Sequence, residues 1–259
     1  AALVARKLGL KLIGSEQIQE RASMFDPDFK EACALYEMEV GPSFFDRIFF
    51  DSPTYTSLFE SLTYDFASEG NVVLMGRGAQ FILKDVPGVL KVRIVAPDVV
   101  RVERVRERYG VSSDEAAEMI EKFERQRKSL LQSMFKHDIN DWVLYDLVMN
   151  TTHYDSDGGS DIVVEALRKL QKAPQPEHLR EKLAAMALAK RVEASIKKEL
   201  TSPVAYYVEV TGEPGGNLTV SGRIRTTRNK IKAEQHAKEF PGVASVQNEL
   251  KVTDVLFGF

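Results

Sequence analysis

The chain has 259 residues, of which 44 % are hydrophobic, 28 % are charged and one is cysteine, and its formal net charge is −3. That length suffices for two domains or one large one; the lone Cys33 excludes an intramolecular disulfide and a multi-cysteine zinc site, and no apolar run reaches membrane-spanning length. A cytoplasmic protein is expected, with Cys33 as a small buried residue, and the spacing of His137, His153, His178 and His236 predicts no metal site.

In chain order, Ala1 to Gly9 reads as the end of a helix stopped by Gly9, and Leu10 to Ile13 as a strand. Ser15 to Ser68 reads as several helices broken at Asp26-Pro27, Gly41-Pro42 and Ser52-Pro53. Its aromatics Phe44, Phe45, Phe49, Phe50 and Tyr55 fit either a small helical core or one wall of a pocket, and the pattern favours the core. Asn71 to Met75 is a short apolar run of the kind found in a strand covered on both faces, and Gly76-Arg77-Gly78-Ala79 comes next, where a parallel strand delivers its loop to a ligand crevice. The glycines let the backbone turn tightly, and the Arg77 guanidinium is a planar fork of donors that matches phosphate oxygens.

Leu90 to Ala96 predicts a second strand, stopped by Pro97. Asp98 to Tyr109 then places Arg101, Arg104 and Arg108 on one helical face, although Glu103 and Glu107 are placed to satisfy the arginines locally. Ser112 to Phe135 is a long helical pattern opened by capping residues, and it carries Glu124, Arg125 and Arg127 in its second half. Asp141 to Thr151 predicts a further strand with a polar end, and Asp161 to Gln171 a helix.

These segments together resemble the cytidylate-kinase-like family of P-loop nucleoside monophosphate kinases: Gly76-Arg-Gly-Ala, Val92-Arg-Ile-Val-Ala-Pro, Arg101-Val-Glu-Arg, Glu124-Arg-Gln-Arg127 and Tyr145-Asp-Leu-Val-Met-Asn-Thr151 occur in that family's order. The resemblance implies a three-layer α/β fold, a parallel sheet with helices on both faces, and transfer of the γ-phosphoryl group of ATP, with Mg2+, to CMP or dCMP. It implies that Gly76, Arg77 and Gly78 hold the acceptor phosphate, that Arg127 joins them from a lid, that Glu124 contacts the nucleoside, and that Arg125 reaches the transferring phosphate. Arg101 and Arg104 are candidate lid or phosphate contacts. Arginines suit such chemistry, because phosphoryl transfer is catalysed chiefly by in-line positioning and by neutralising charge on the equatorial oxygens.

The sequence departs from the family in two places. Neither Gly-x-x-x-x-Gly-Lys-[Ser/Thr] nor Gly-Ser-Gly-Gly occurs, so an upstream segment holding the first strand and the phosphate loop is expected to be missing. That strand would lie between those at Val72 and Val92; strands near 11–13, 71–75, 89–95 and 144–149 are expected in one parallel sheet, with the second and third not directly paired. Gly14-Ser15-Glu16 stands where relatives have Asp followed by Lys or Arg, which either alters acceptor binding or passes that task to Glu16. A nucleotide-binding sensor that transfers no phosphate is the competing reading.

Lys172 to Glu177 reads as a Pro-containing linker, which divides the chain into a kinase-like domain at 1–172 and a second domain at 177–253. An alanine-rich helix from Leu179 to Leu200, a strand from Val204 to Val210, a turn at Glu213 to Asn217, a strand from Leu218 to Gly222, a helix from Thr227 to Phe240 and a closing strand within Gly242 to Val252 give the order αββαβ. With Leu218-Thr-Val-Ser-Gly-Arg and Pro241-Gly-Val-Ala-Ser-Val-Gln-Asn, this segment resembles the BON domain, which implies a binding module that regulates or localises the rest. From Glu177 onward 13 Lys and Arg stand against 10 Asp and Glu, a net +3 that leaves −6 for the preceding residues. Arg223, Arg225, Arg228, Lys230 and Lys232 are candidate contacts to an anionic phospholipid surface, with a protein as the alternative partner; a solvated face is the competing reading, and no nucleic-acid partner is predicted.

Overall fold

The computed structural model describes residues 1–25, 29, 33, 53–76, 78–172, 176–200 and 207–253. It forms two compact units. One holds Ala1–Gly14 and the described residues of Asn71–Pro176; the other holds the described residues of Ser15–Ala34, Asp51–Gly70 and Glu177–Phe259. No helix among the described residues is long and apolar enough to cross a membrane.

The first unit opens with helix α1 (Ala2–Leu8), which ends on Gly9, and strand β1 (Lys11–Ile13). β1 pairs in parallel with β2 (Val72–Leu74), Lys11 opposite Val72 and Ile13 opposite Leu74. After the short helix α4 (Ala79–Ile82), β3 (Val92–Val95) pairs in parallel with β4 (Leu147–Asn150), from Val92 opposite Leu147 to Val95 opposite Asn150. The four strands thus form two parallel pairs and not the single sheet expected, and among the described residues β2 and β3 share no ladder. Ile94 and Val148 remain 55 % and 45 % exposed, so these strands are less covered than their apolar sequence predicts.

Local chemistry explains the helices of this unit. Pro97 precedes α5 (Asp98–Tyr109), and Gly110 ends it. The capping box at Ser112 is formed: its Oγ accepts from the Glu115 N–H, and the Glu115 carboxylate accepts from the Ser112 N–H at 2.8 Å, which starts α6 (Ser113–Phe135). Those hydrogen bonds from Ser112 hold the Glu115 carboxyl below its ordinary pKa. Helix α7 (Ser156–Leu170) begins five residues before the predicted Asp161, because Asp155 caps the Gly158 N–H at 2.7 Å and offsets the helix-weakening pair Gly158-Gly159. The predicted strand at 141–151 is shorter: the Asp141 carboxylate accepts from the Val143 N–H and turns Trp142–Leu144 into a 3-10 helix, with Trp142 74 % exposed. Lys7 bridges α1 to α7 through Asp157 and Asp161.

In the second unit, α8 (Leu179–Leu200) occupies the range predicted for it. The hairpin of β5 (Val208–Glu213) and β6 (Asn217–Ile224) comes after it, then α9 (Thr227–Lys238), β7 (Ser245–Asn248) and β8 (Lys251–Val252), both last strands parallel to β6. The start of the strand predicted at Val204 lies outside the described residues. Val192, Ile196, Val208, Val210, Val220 and Ile224 form the core between α8 and the sheet.

Two helices from the N-terminal half of the sequence complete this unit: α2 (Ser15–Phe25) and α3 (Pro53–Glu69). α8 is buried on more than one side, at Leu183, Ala185, Ala187 and Ala189 as well as at its sheet-facing residues, because it packs against both β5 and α3. Its small alanines admit α3 closely enough for the Ser61 hydroxyl to donate to the Ala187 carbonyl at 2.7 Å. Phe29 stacks on Tyr55 and meets the Phe59 ring edge-on at 4.9 Å, so Tyr55 belongs to a helical core; Phe44, Phe45, Phe49 and Phe50 lie outside the described residues. Cys33 is fully buried, as expected.

The centre of the packing between α3 and α8 is ionic. The Glu193 carboxylate accepts from Lys197 at 2.6 Å, from Ser57 at 2.7 Å, from the Val210 N–H at 2.9 Å and from Lys190 at 3.1 Å. Lys190 also pairs with Glu60 at 2.9 Å. Burial alone would raise the Glu193 pKa, but the charges of Lys197 and Lys190 outweigh it and hold the carboxyl below its ordinary value. Glu193→Ala is expected to destabilise the protein by about 3–5 kcal/mol at neutral pH, since Lys197 is then buried without its counter-charge. Because the folded pKa is depressed, the stability from Glu193 is present in full above the unfolded value near pH ~4.3 and is lost as pH falls through the folded value. Urea denaturation across that acidic range should therefore show a shallower loss of stability for Glu193→Gln than for the parent.

Candidate functional site

β2 ends in a loop whose shape is set by its glycines. Gly76 and Gly78 sit at φ 70° and 73°, a region that L side chains rarely adopt. Their carbonyls accept from the N–H groups of Ala79 and Phe81, which turns the chain into α4. A side chain at Gly78 would collide with the Phe135 ring, so the turn is pressed against the last residue of α6. Phe81, Leu131 and Ile139 are buried in the same cluster, and Phe81 stacks on His137 at 5.5 Å. The loop is thereby fixed to the helix that carries Glu124, Arg125 and Arg127. Along that helix Arg127 lies about 12 Å from Phe135, at a rise of ~1.5 Å per residue.

Arg77 itself lies outside the described residues. Arg101 donates to Glu124 at 2.8 Å and to Asp98 at 3.2 Å, which joins α5 to α6. Arg125 pairs with Glu121 at 3.1 Å on the exposed face of α6, and Arg127 is exposed without an ion pair among the described residues. Arg106 pairs with Glu103, as the local reading expected, and Arg108 lies over the Tyr109 ring. Arg104 takes neither nearby glutamate; it donates to the hydroxyl and the carbonyl of Thr151, both at 2.8 Å. Since the Thr151 N–H and hydroxyl donate to the Val95 carbonyl, Arg104 braces the carboxyl ends of β3 and β4. Glu16 is exposed in the first turn of α2.

Three contributors escape a reading of local patterns. Phe135 shapes the loop from 57 positions away in sequence. Arg93, on β3, donates to the Ile139 carbonyl, Asn140 and Tyr145, and so fixes the segment between α6 and β4. Thr151 is the anchor of Arg104. Among the described residues no group of three or more His, Cys, Asp or Glu is placed to hold a metal ion.

The basic turn of the second unit is partly consumed by its own fold. Lys230 donates to the Leu250 carbonyl at 2.6 Å, Lys232 pairs with Glu199 at 2.7 Å, and Thr226 caps α9 through the Asn229 N–H. Arg223 is exposed on β6, while Arg225 and Arg228 are exposed with no ion pair among the described residues.

Parallel strand pairs with helices between them, and a long helix packed on the glycine turn after β2, define a protein of the mixed α/β class. The chain belongs to the cytidylate kinase-like family, whose model matches residues 1–153, and it carries a BON domain at residues 181–254. It is 39 % identical over 104 residues to a cytidylate kinase of Pyrococcus horikoshii, which covers 40 % of this chain and 53 % of that one. To a cytidylate kinase of Archaeoglobus fulgidus it is 30 % identical over 171 residues, 64 % of this chain and 86 % of the relative. It spans about half the length of the Pyrococcus relative. A crystal structure of an uncharacterized protein from Eubacterium ventriosum is 22 % identical, with a TM-score of 0.48 over 65 % of this chain and 89 % of that one.

Gly78→Ala is expected to cost more than the ~1 kcal/mol of left-handed strain alone, because the methyl group also meets Phe135. Thermal unfolding should record a lower Tm for Gly78→Ala than for Gly76→Ala, where an added side chain meets nothing within 4 Å.

Proposed function

We propose that the protein is a nucleoside monophosphate kinase that transfers the γ-phosphoryl group of ATP to CMP or dCMP, from a three-layer P-loop kinase fold spanning residues 1–172. The observation that supports the reading is Gly78 packed against Phe135 at the C-terminal end of α6, since that contact joins the glycine turn after β2 to the helix that carries Arg125 and Arg127. In this reading Arg77 binds the acceptor phosphate with two parallel N–H donors, between glycines that let the backbone approach it, and Arg127 binds it from the opposite side. An acceptor phosphate oxygen forms a bond to the γ-phosphorus as the bond from that phosphorus to the β,γ-bridging oxygen breaks. Arg125 neutralises the charge spread over the equatorial oxygens. For Arg125 to do so it must leave Glu121, an exposed pair that exchanges at little cost, and Glu124 must exchange Arg101, which is half-buried, for the nucleoside. Magnesium bound with the donor nucleotide would supply charge neutralisation on its phosphates. Among the described residues no group of three or more His, Cys, Asp or Glu is placed to hold the ion, and this chain's own contribution comes from its arginines.

Arg77→Ala in the full-length protein is expected to lower kcat/KM for CMP about 10²-fold, equivalent to ~2.7 kcal/mol of transition-state stabilisation, and Arg77→Lys to recover little because the fork is lost. Turnover like that of the parent in the alanine variant would remove Arg77 from the mechanism. Binding without turnover by the parent, across all nucleoside monophosphates, would make the protein a nucleotide sensor.

The BON domain, assigned to 177–253, serves in this reading as the regulatory or localising module, with Arg223, Arg225 and Arg228 facing an anionic phospholipid surface. The full-length protein should sediment with anionic vesicles at low salt and be released as ionic strength rises, and Arg225→Ala/Arg228→Ala should stay in solution. Equal sedimentation of the two proteins would reject the lipid role.

A further inference from the structure

Helix α3 belongs to two modules at once. Its sequence falls inside the segment matched by the kinase-like family, yet its buried face, Leu58, Phe59, Leu62 and Phe66, lies in the unit built around the BON domain. The packing against α8 is specific as well as apolar. Ser57 and Glu60 of α3 share the buried network of Lys190, Glu193 and Lys197, and Ser61 donates to the Ala187 carbonyl. Nearer the end of α3, Asp65 pairs with both Arg21 of α2 and Arg191 of α8, Glu69 pairs with Arg21 at 2.8 Å, and the Arg191 guanidinium lies 3.7 Å from the centre of the Phe25 ring. The Arg180 guanidinium of α8 covers Gly70, which at φ 67° has no side chain to keep it away.

Such a seam costs more desolvation than an apolar one, and it fixes a single register between the helices. The chain runs on from α3 into the first unit with little sequence between them. Only Gly70 and Asn71 separate α3 from β2, the Asn71 carbonyl accepts from the Lys11 N–H at 3.0 Å, and β2 leads directly into the Gly76 to Gly78 turn.

We infer that α2 and α3 open and close with the BON domain as one cooperative unit, so that α3 is the element through which the BON domain acts on the loop after β2. A ligand that tightens the C-terminal domain then stabilises α3, and reciprocally a ligand that needs α3 in place is bound more weakly when the seam is loosened. The structural coupling does not depend on the reaction; only its effect on CMP rests on the function proposed above.

Hydrogen exchange on the full chain tests this. Ser57→Ala, which removes one hydroxyl from the network, and Lys197→Met, which leaves Glu193 without its nearest cation, are compared with the parent. Amides of 53–69 are expected to lose protection by the same factor as those of 179–200 and 208–224, about 10-fold or more for Lys197→Met, while 113–135 keep theirs. In the same variants KM for CMP should rise more than kcat falls. Unchanged protection of 53–69, when that of 208–224 drops, would overturn the inference; if Lys197→Met fails to fold, the same comparison is read in Ser57→Ala. Coupled exchange in a protein with no kinase activity would uphold the cooperative unit of α2, α3 and the BON domain and remove the proposed reaction. Coupled exchange with an unchanged KM would confine α3 to holding the unit together and so refute its action on the loop.

Discussion

The carboxylate of Glu193 is the point on which the second unit turns. It is 2 % exposed, and four donors from three segments of chain converge on it: lysines one turn before and after it on its own helix, a hydroxyl of α3, and a backbone N–H of β5. A lone buried carboxylate would be expelled or protonated; here Lys197 and Lys190 keep it charged, and every donor to it is itself half-buried or buried. The geometry therefore constrains all three segments together. Moving α3 strands the Ser57 hydroxyl, moving β5 strands an amide, and either leaves charge in a place that water reaches poorly.

Much of this molecule was legible wherever the determining residues are neighbours in sequence. Ser112 and Glu115 announce the start of α6, Pro97 and Gly110 bracket α5, and the run from Glu213 to Asn217 marks the hairpin, because caps and turns are decided within four or five residues. The same locality explains the misplaced boundaries. The apolar letters Trp142, Val143 and Leu144 read as strand, but one short side chain, Asp141, bends them into a 3-10 turn. Gly158-Gly159 argues against helix until Asp155 is counted as its cap.

What local pattern cannot supply is the identity of a distant partner. Nothing near Arg104 in sequence points to Thr151, and nothing near Gly78 points to Phe135. The attachment of α3 to α8 was hidden for the same reason: serines at 57 and 61 look like solvent residues until the alanines of α8 are set against them. At the candidate site the glycine conformations and the helical placement of Arg101, Arg125 and Arg127 could be read from the sequence. Their resting partners could not: Glu124 and Glu121 already occupy two of those three arginines. An arginine pre-paired at an exposed surface is held extended and charged at little cost, and it exchanges one anion for another more readily than it would leave a buried site.

The hydrogen bond from the Val210 N–H to Glu193 has a meaning beyond the packing of helices. β5 is the outermost strand on its side of the sheet, with β6 as its only ladder partner among the described residues. An outer strand offers its free amides to any extended chain that approaches, which is how sheets of separate molecules fuse. At Val210 that invitation is withdrawn, because the donor is already engaged by a carboxylate delivered from within the fold. The residue that holds the helices in register thus also occupies one amide on the open side of the sheet.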